Sequence, residues 1–195
     1  MKNFHYFLIL ALGLFSGFFS GHLVGLDGWR IGAVFIHQGL FFAIAACLCF
    51  TVIFRQNSWT GYAGWALICI VAYNLAYWAT FFLYAFTSGS GSSSSSPLVG
   101  PYLSFFFGGF LGAMVTAAGL KWCLVKISGK EILLLGLWGG ILGLSALMPG
   151  LGQPGSEGNY PALFLIWQPA MLFLIMQISA RYFNPTNQLE PKLIQ

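Results

Sequence analysis

The chain has very little charge. Eight basic and four acidic side chains among 195 residues make 6%, against about a quarter in an ordinary soluble domain. A fold in water needs more polar surface than that supplies, so a soluble enzyme, a disordered chain and a coiled coil are excluded. Cysteine is scarce as well. Cys47, Cys49, Cys69 and Cys123 all lie inside apolar runs and form no CxxC pair, which leaves neither a disulfide framework nor a zinc site. There is no HExxH, no Gly-x-Ser-x-Gly, no phosphate loop and no pair of carboxylates, so the chain is not expected to be an enzyme and no catalytic, metal or cofactor site is assigned. Ser145 sits in a glycine-rich stretch, as an intramembrane serine nucleophile would, but no histidine lies at a matching depth. No run of Lys or Arg is present, so the net charge of +4 does not point to nucleic acid.

What the chain has is apolar length. Hydrophobic residues make up 58%, aromatic residues 18%, and the mean hydropathy is +0.80. Six apolar runs stand out, at about residues 4–26, 31–54, 62–86, 102–125, 132–148 and 162–180. A helix of roughly 20 residues crosses the hydrocarbon core. Only helices and closed barrels satisfy their backbone in lipid, and these runs are continuous rather than alternating. The expectation is an all-α, polytopic protein of six transmembrane helices in one integral membrane domain spanning residues 1–195, with the lipid bilayer as its first partner. The first run is read as a true helix and not a signal peptide: it exceeds 20 residues, and Phe18 stands where a cleavage site after Ser20 needs a small residue.

Seven basic residues (Lys2, Arg55, Lys121, Lys126, Lys130, Arg181 and Lys192) fall on one side of this topology and Arg30 alone on the other. The positive-inside rule then puts both termini in the cytoplasm, with a bacterial inner membrane as the expected location. The connection at residues 87–101, rich in Ser and Gly, reads as a flexible tether, and residues 184–195 as a polar tail.

Gly13, Gly17, Gly21 and Gly25 recur every four residues and form one face of the first helix, a glycine zipper. That face is expected to pack against the fourth or fifth helix, with Gly17→Leu costing roughly 1–3 kcal/mol through overpacking. Short matches between the halves, Phe15-Ser16-Gly17-Phe18 with Phe107-Gly108-Gly109-Phe110 and Tyr73-Asn74-Leu75-Ala76 with Trp167-Gln168-Pro169-Ala170, suggest a 3+3 inverted repeat of the kind many transporters use.

Polar residues inside apolar runs are candidate functional groups. Asn74 and Gln168 occupy equivalent places in the repeat, where they line a solute path or form one interhelical hydrogen bond. His22, Asp27, Arg30, His37 and Gln38 gather at the outer end of the first two helices. They form an interfacial network, a solute or proton site, or, through His22 and His37, a haem or metal site. The leading functional expectation is a small transporter or channel-like protein for a neutral or weakly polar solute. The alternatives are a non-catalytic subunit of a larger membrane complex, a homo-oligomer, and a carrier of haem or metal through His22 and His37.

Overall fold

The computed structural model describes residues 3–22, 30–31, 34–89, 99–147 and 161–183. Their fold is helical: α1 (Asn3–His22), α2 (His37–Phe54), α3 (Trp59–Gly89), α4 (Val99–Cys123), α5 (Gly129–Gly143, continued by a 3-10 turn at Leu144–Leu147) and α6 (Pro161–Phe183). All six are long and apolar enough to cross a membrane. Ahead of α2 lie two short antiparallel strands, β1 (Arg30–Ile31) and β2 (Val34–Phe35), with Arg30 opposite Phe35 and Ile31 opposite Val34.

The boundaries differ from expectation at informative places. The second helix begins at His37 and not at Ile31. Ile31, Val34 and Phe35 favour extended backbone and lie in β1 and β2, and Ile36, with helical φ and ψ, is the N-cap of α2. Thr87 is helical and not part of the tether, because its hydroxyl donates back to the Leu83 carbonyl at 2.8 Å. α4 starts earlier than expected, with Pro101 in its first turn, where the missing N–H costs nothing. α5 starts at a capping box: Ser128 Oγ accepts from the Glu131 N–H, and the Ser128 N–H donates to Glu131 Oε2 at 2.8 Å. The Tyr182 hydroxyl donates to the same carboxylate, tying α6 to α5. The tail and the remainder of the tether lie outside the described residues.

The helices run up and down and form a ring in which each packs on its sequence neighbours, α6 closes on α1, and α2 also touches α6 across the middle. Close backbone approach sets this order. A Cβ on Gly109 would meet the Gly139 backbone and one on Gly143 the Phe105 carbonyl, so α4 and α5 meet almost main chain to main chain. A Cβ on Gly13 would lie 2.5 Å from Pro169 Cα, and one on Gly17 2.8 Å from the Phe164 carbonyl carbon. The α1 face therefore meets α6, not α4 or α5 as expected from sequence. The glycines of α4 and α5 are already used against each other, and the Pro169 ring needs a surface without side chains. Gly21 is buried, and Gly25 lies outside the described residues.

One half of the ring is solid. Ile9, Phe50, Trp65, Leu120, Ile175 and Met176 fill it, and Trp65 Nε1 donates to the Thr116 carbonyl at 3.1 Å. Outward faces are apolar, with Phe7 70% and Leu67 65% exposed. Trp59 and Trp122, 79% and 78% exposed, stand at the end where α3 begins and α4 finishes. Arg55, Lys121, Lys126, Lys130 and Arg181 belong to that same end.

Candidate functional site

The other half of the ring is hollow. A cavity of about 660 Å³ lies between α2, α3, α4 and α6, with Gly143 of α5 and Phe35 of β2 completing its wall. That size is in the range of small-molecule sites, roughly 300–1,000 Å³. Its deep end is set by Cys69, Ala72 and Thr116, above the packed core. Its wall then follows one face of α3 through Tyr73, Tyr77, Thr80 and Tyr84, spaced four, three and four residues apart. Tyr84 and Phe81 at the far end are exposed. Glycines at 108, 109 and 112 form the α4 side. They let α4 lie close to α3 and α5. No acidic or basic side chain is found among the described residues of the wall.

Aromatic rings dominate the surface. Phe35 lies 4.6 Å, ring centre to ring centre, from Tyr77 and edge-on to Tyr73. Tyr73 lies 5.8 Å from Phe164, and Phe42 5.7 Å from Trp167. Phe35 reaches this position because Asn74 holds its backbone. Asn74 Oδ1 accepts from the Phe35 N–H at 2.8 Å, and Asn74 Nδ2 donates to the Phe35 carbonyl at 2.8 Å and to Ile70 within its own helix. The amide thus acts as a further strand beside β2. The level of Asn74 is about 22 Å along α3 from Trp59, at a rise of 1.5 Å per residue. Extended backbone packed between helices needs a hydrogen-bond partner from the protein, and Asn74 is that partner.

The expected amide pair is not brought together. Gln168 lines the cavity, but its amide faces α1: Ser16 Oγ donates to Gln168 Oε1, and Gln168 Nε2 donates to Ser20 Oγ at 2.9 Å. Asn74 is committed to the hairpin. Gln168 therefore carries interhelical bonds to α1, while Asn74 bonds to β2 and to its own helix.

Gln38 differs from both. It is 1% exposed, lies in the cavity wall, and neither its amide oxygen nor its nitrogen has a hydrogen-bond partner among the described residues. His37, 2% exposed, is in the same condition at both ring nitrogens. Of the expected outer-end cluster, these two are the members whose side chains are described. Asp27 and the side chains of His22 and Arg30 lie outside the described residues. No group of three or more His, Cys, Asp or Glu side chains that could hold a metal occurs among the described residues. Ser145 donates to its own helix, to the Leu142 carbonyl at 2.7 Å, as a helical serine ordinarily does.

The tyrosine and threonine face of α3 was not singled out from sequence, although its spacing is legible there. The Phe35 contribution was not, because it depends on the hairpin. No family model, curated protein or solved structure matches the chain.

Proposed function

We propose that the chain is an integral membrane protein that admits a small, uncharged, weakly polar solute into this cavity, as a transporter or channel-like protein. The observation that carries the reading is the cavity: about 660 Å³ inside a ring of apolar helices, free of acidic and basic side chains among its described residues, with the unpartnered Gln38 amide in its wall. Six apolar spans and outward apolar faces support insertion in a bilayer. The basic residues at the Trp59 and Trp122 end support a cytoplasmic position for that end and for both termini, which puts the cavity in the outer half. On this reading the packed core beneath it is the closed side. A 3+3 inverted repeat, α1–α3 against α4–α6, supplies the rocking that would open it.

Wall chemistry sets selectivity. An ion entering this space would lose its hydration without gaining a counter-charge, at a cost of several kcal/mol, whereas an uncharged solute keeps apolar contact and needs only a few hydrogen bonds. Isothermal titration of the detergent-purified protein with urea, glycerol, 3-acetylpyridine, nicotinamide and nicotinate tests this. At least one uncharged solute is expected to bind and nicotinate is not. Leu163→Trp, which puts a bulky ring into the wall, is expected to abolish binding while the protein remains monodisperse. Binding of nicotinate alone, or of no solute, overturns the reading.

A further inference from the structure

We infer that Gln38 is the specificity-determining residue of the cavity and that the solute it selects is planar, uncharged and edged by a hydrogen-bond acceptor and donor side by side, as in a carboxamide or a lactam. The inference rests on the proposed solute-binding role of the same cavity and goes beyond it by naming the ligand chemistry.

The amide of Gln38 carries one acceptor oxygen and two N–H donors in one plane. Buried amides almost always find partners, because leaving them unmet in an apolar setting is unfavourable. Other amides near the wall show how this chain meets that requirement. Asn74 makes three hydrogen bonds and Gln168 two, each to a named protein group. Gln38 makes none at either amide atom. Nor can α2 readily shift to find it a partner. The next residue, Gly39, is so close to α3 that a Cβ there would lie 2.6 Å from both the Cys69 carbonyl oxygen and Ile70 Cα.

In this conformation the amide is buried in the wall, and rotation about its side-chain torsions brings it to a solute in the adjacent space. The complement of an amide that must satisfy both donor and acceptor is a second amide edge, which meets it with two parallel hydrogen bonds. An alcohol or a ketone would leave part of it unmet. Planarity follows from the walls. Phe35, Phe42, Tyr73, Phe164 and Trp167 surround the cavity with ring surfaces, which favour offset or edge contact with a flat partner. The uncharged state follows from the lack of acidic and basic side chains among the described lining residues.

The test uses the full chain in detergent and two probes of the same shape, nicotinamide and 3-acetylpyridine, in which a methyl group replaces the NH₂. Nicotinamide is expected to bind at least tenfold more tightly. Gln38→Met, which keeps the volume and removes the amide, is expected to bring the ratio to near one while leaving 3-acetylpyridine affinity within about twofold. Equal affinities in the unmodified protein overturn amide recognition and leave the solute cavity standing. A ratio that survives Gln38→Met assigns the discrimination to another group and overturns the role of Gln38. If neither probe, nor any other uncharged solute, binds, the cavity reading fails and this inference with it. Should Gln38→Met not fold, N,N-dimethylnicotinamide provides the comparison on the unmodified chain: a tenfold weaker affinity than nicotinamide is expected, and equal affinity overturns the inference.

Discussion

Replacing Gly17 with leucine is expected to force α1 and α6 apart and to destabilise the bundle by about 3 kcal/mol or more, at or above the upper end of ordinary overpacking. The reason is what the new side chain would meet. Its Cβ would fall on the Phe164 carbonyl and lie 3.1 Å from Leu165 Cα. These are main-chain atoms of a helix, which cannot rotate away as a side chain does. Separation would also stretch the hydrogen bonds from Ser16 to Gln168 and from Gln168 to Ser20, which lie at the same contact. Gly129→Ala is the matched control, since a Cβ there meets nothing within 4 Å, and it is expected to stay within about 0.5 kcal/mol. Unfolding in mixed micelles, followed by far-ultraviolet circular dichroism, measures both. Gly17→Leu unfolding at the same denaturant concentration as the unmodified chain would show that α1 does not meet α6 through this face.

Asn74→Leu is the second substitution with a large expected effect. A hydrogen bond between side chains in a membrane protein contributes about 0.6 kcal/mol on average, because the unfolded chain finds other partners. Asn74 is expected to exceed that average, with a loss of about 2–4 kcal/mol. Its removal leaves both the N–H and the carbonyl of Phe35 without the partners they have at 2.8 Å, and each unmet backbone group costs about 1–3 kcal/mol when buried. The local consequence matters more for the cavity. Phe35 would lose its register against Tyr73 and Tyr77, so the wall on that side should loosen. Amide hydrogen exchange at Phe35 is expected to accelerate at least tenfold in Asn74→Leu, with exchange in the α4–α5 seam unchanged. Equal protection at Phe35 in both proteins would mean that the hairpin is held by something other than Asn74.

Sequence carried the helices further than it carried the site. Six apolar runs with few charges leave little freedom in secondary structure, and six helices of suitable length and composition are found. The four-residue period at Gly13 and Gly17 was legible as a close-approach face. Its partner was not, since α4 and α5 offer similar glycine patterns and only packing decides between them and Pro169. The hairpin was hidden for a different reason. Ile31, Val34, Phe35 and Ile36 continue the hydropathy of the second run, and hydropathy alone does not separate a strand from a helix. Asn74 and Gln168 stand out in the sequence as polar residues in apolar runs, yet the distinction that matters, whether an amide is already bonded, depends on neighbours 39 and 148 residues away. For Gln38 the sequence showed a polar residue in an apolar run, and only the fold shows that no described residue bonds to its amide.

On the proposed function, an uncharged solute passes into this bundle and an ion of the same shape does not. Osmotic re-swelling of proteoliposomes, followed by stopped-flow light scattering, tests it most directly, with nicotinamide and potassium nicotinate plus valinomycin, so that potassium can accompany the anion, as the two osmolytes. The expected result is re-swelling in nicotinamide faster than in protein-free vesicles of the same lipid, slowed by Leu163→Trp, with nicotinate at the protein-free rate. Re-swelling in nicotinamide at the protein-free rate, or equal acceleration by nicotinamide and nicotinate, would contradict it.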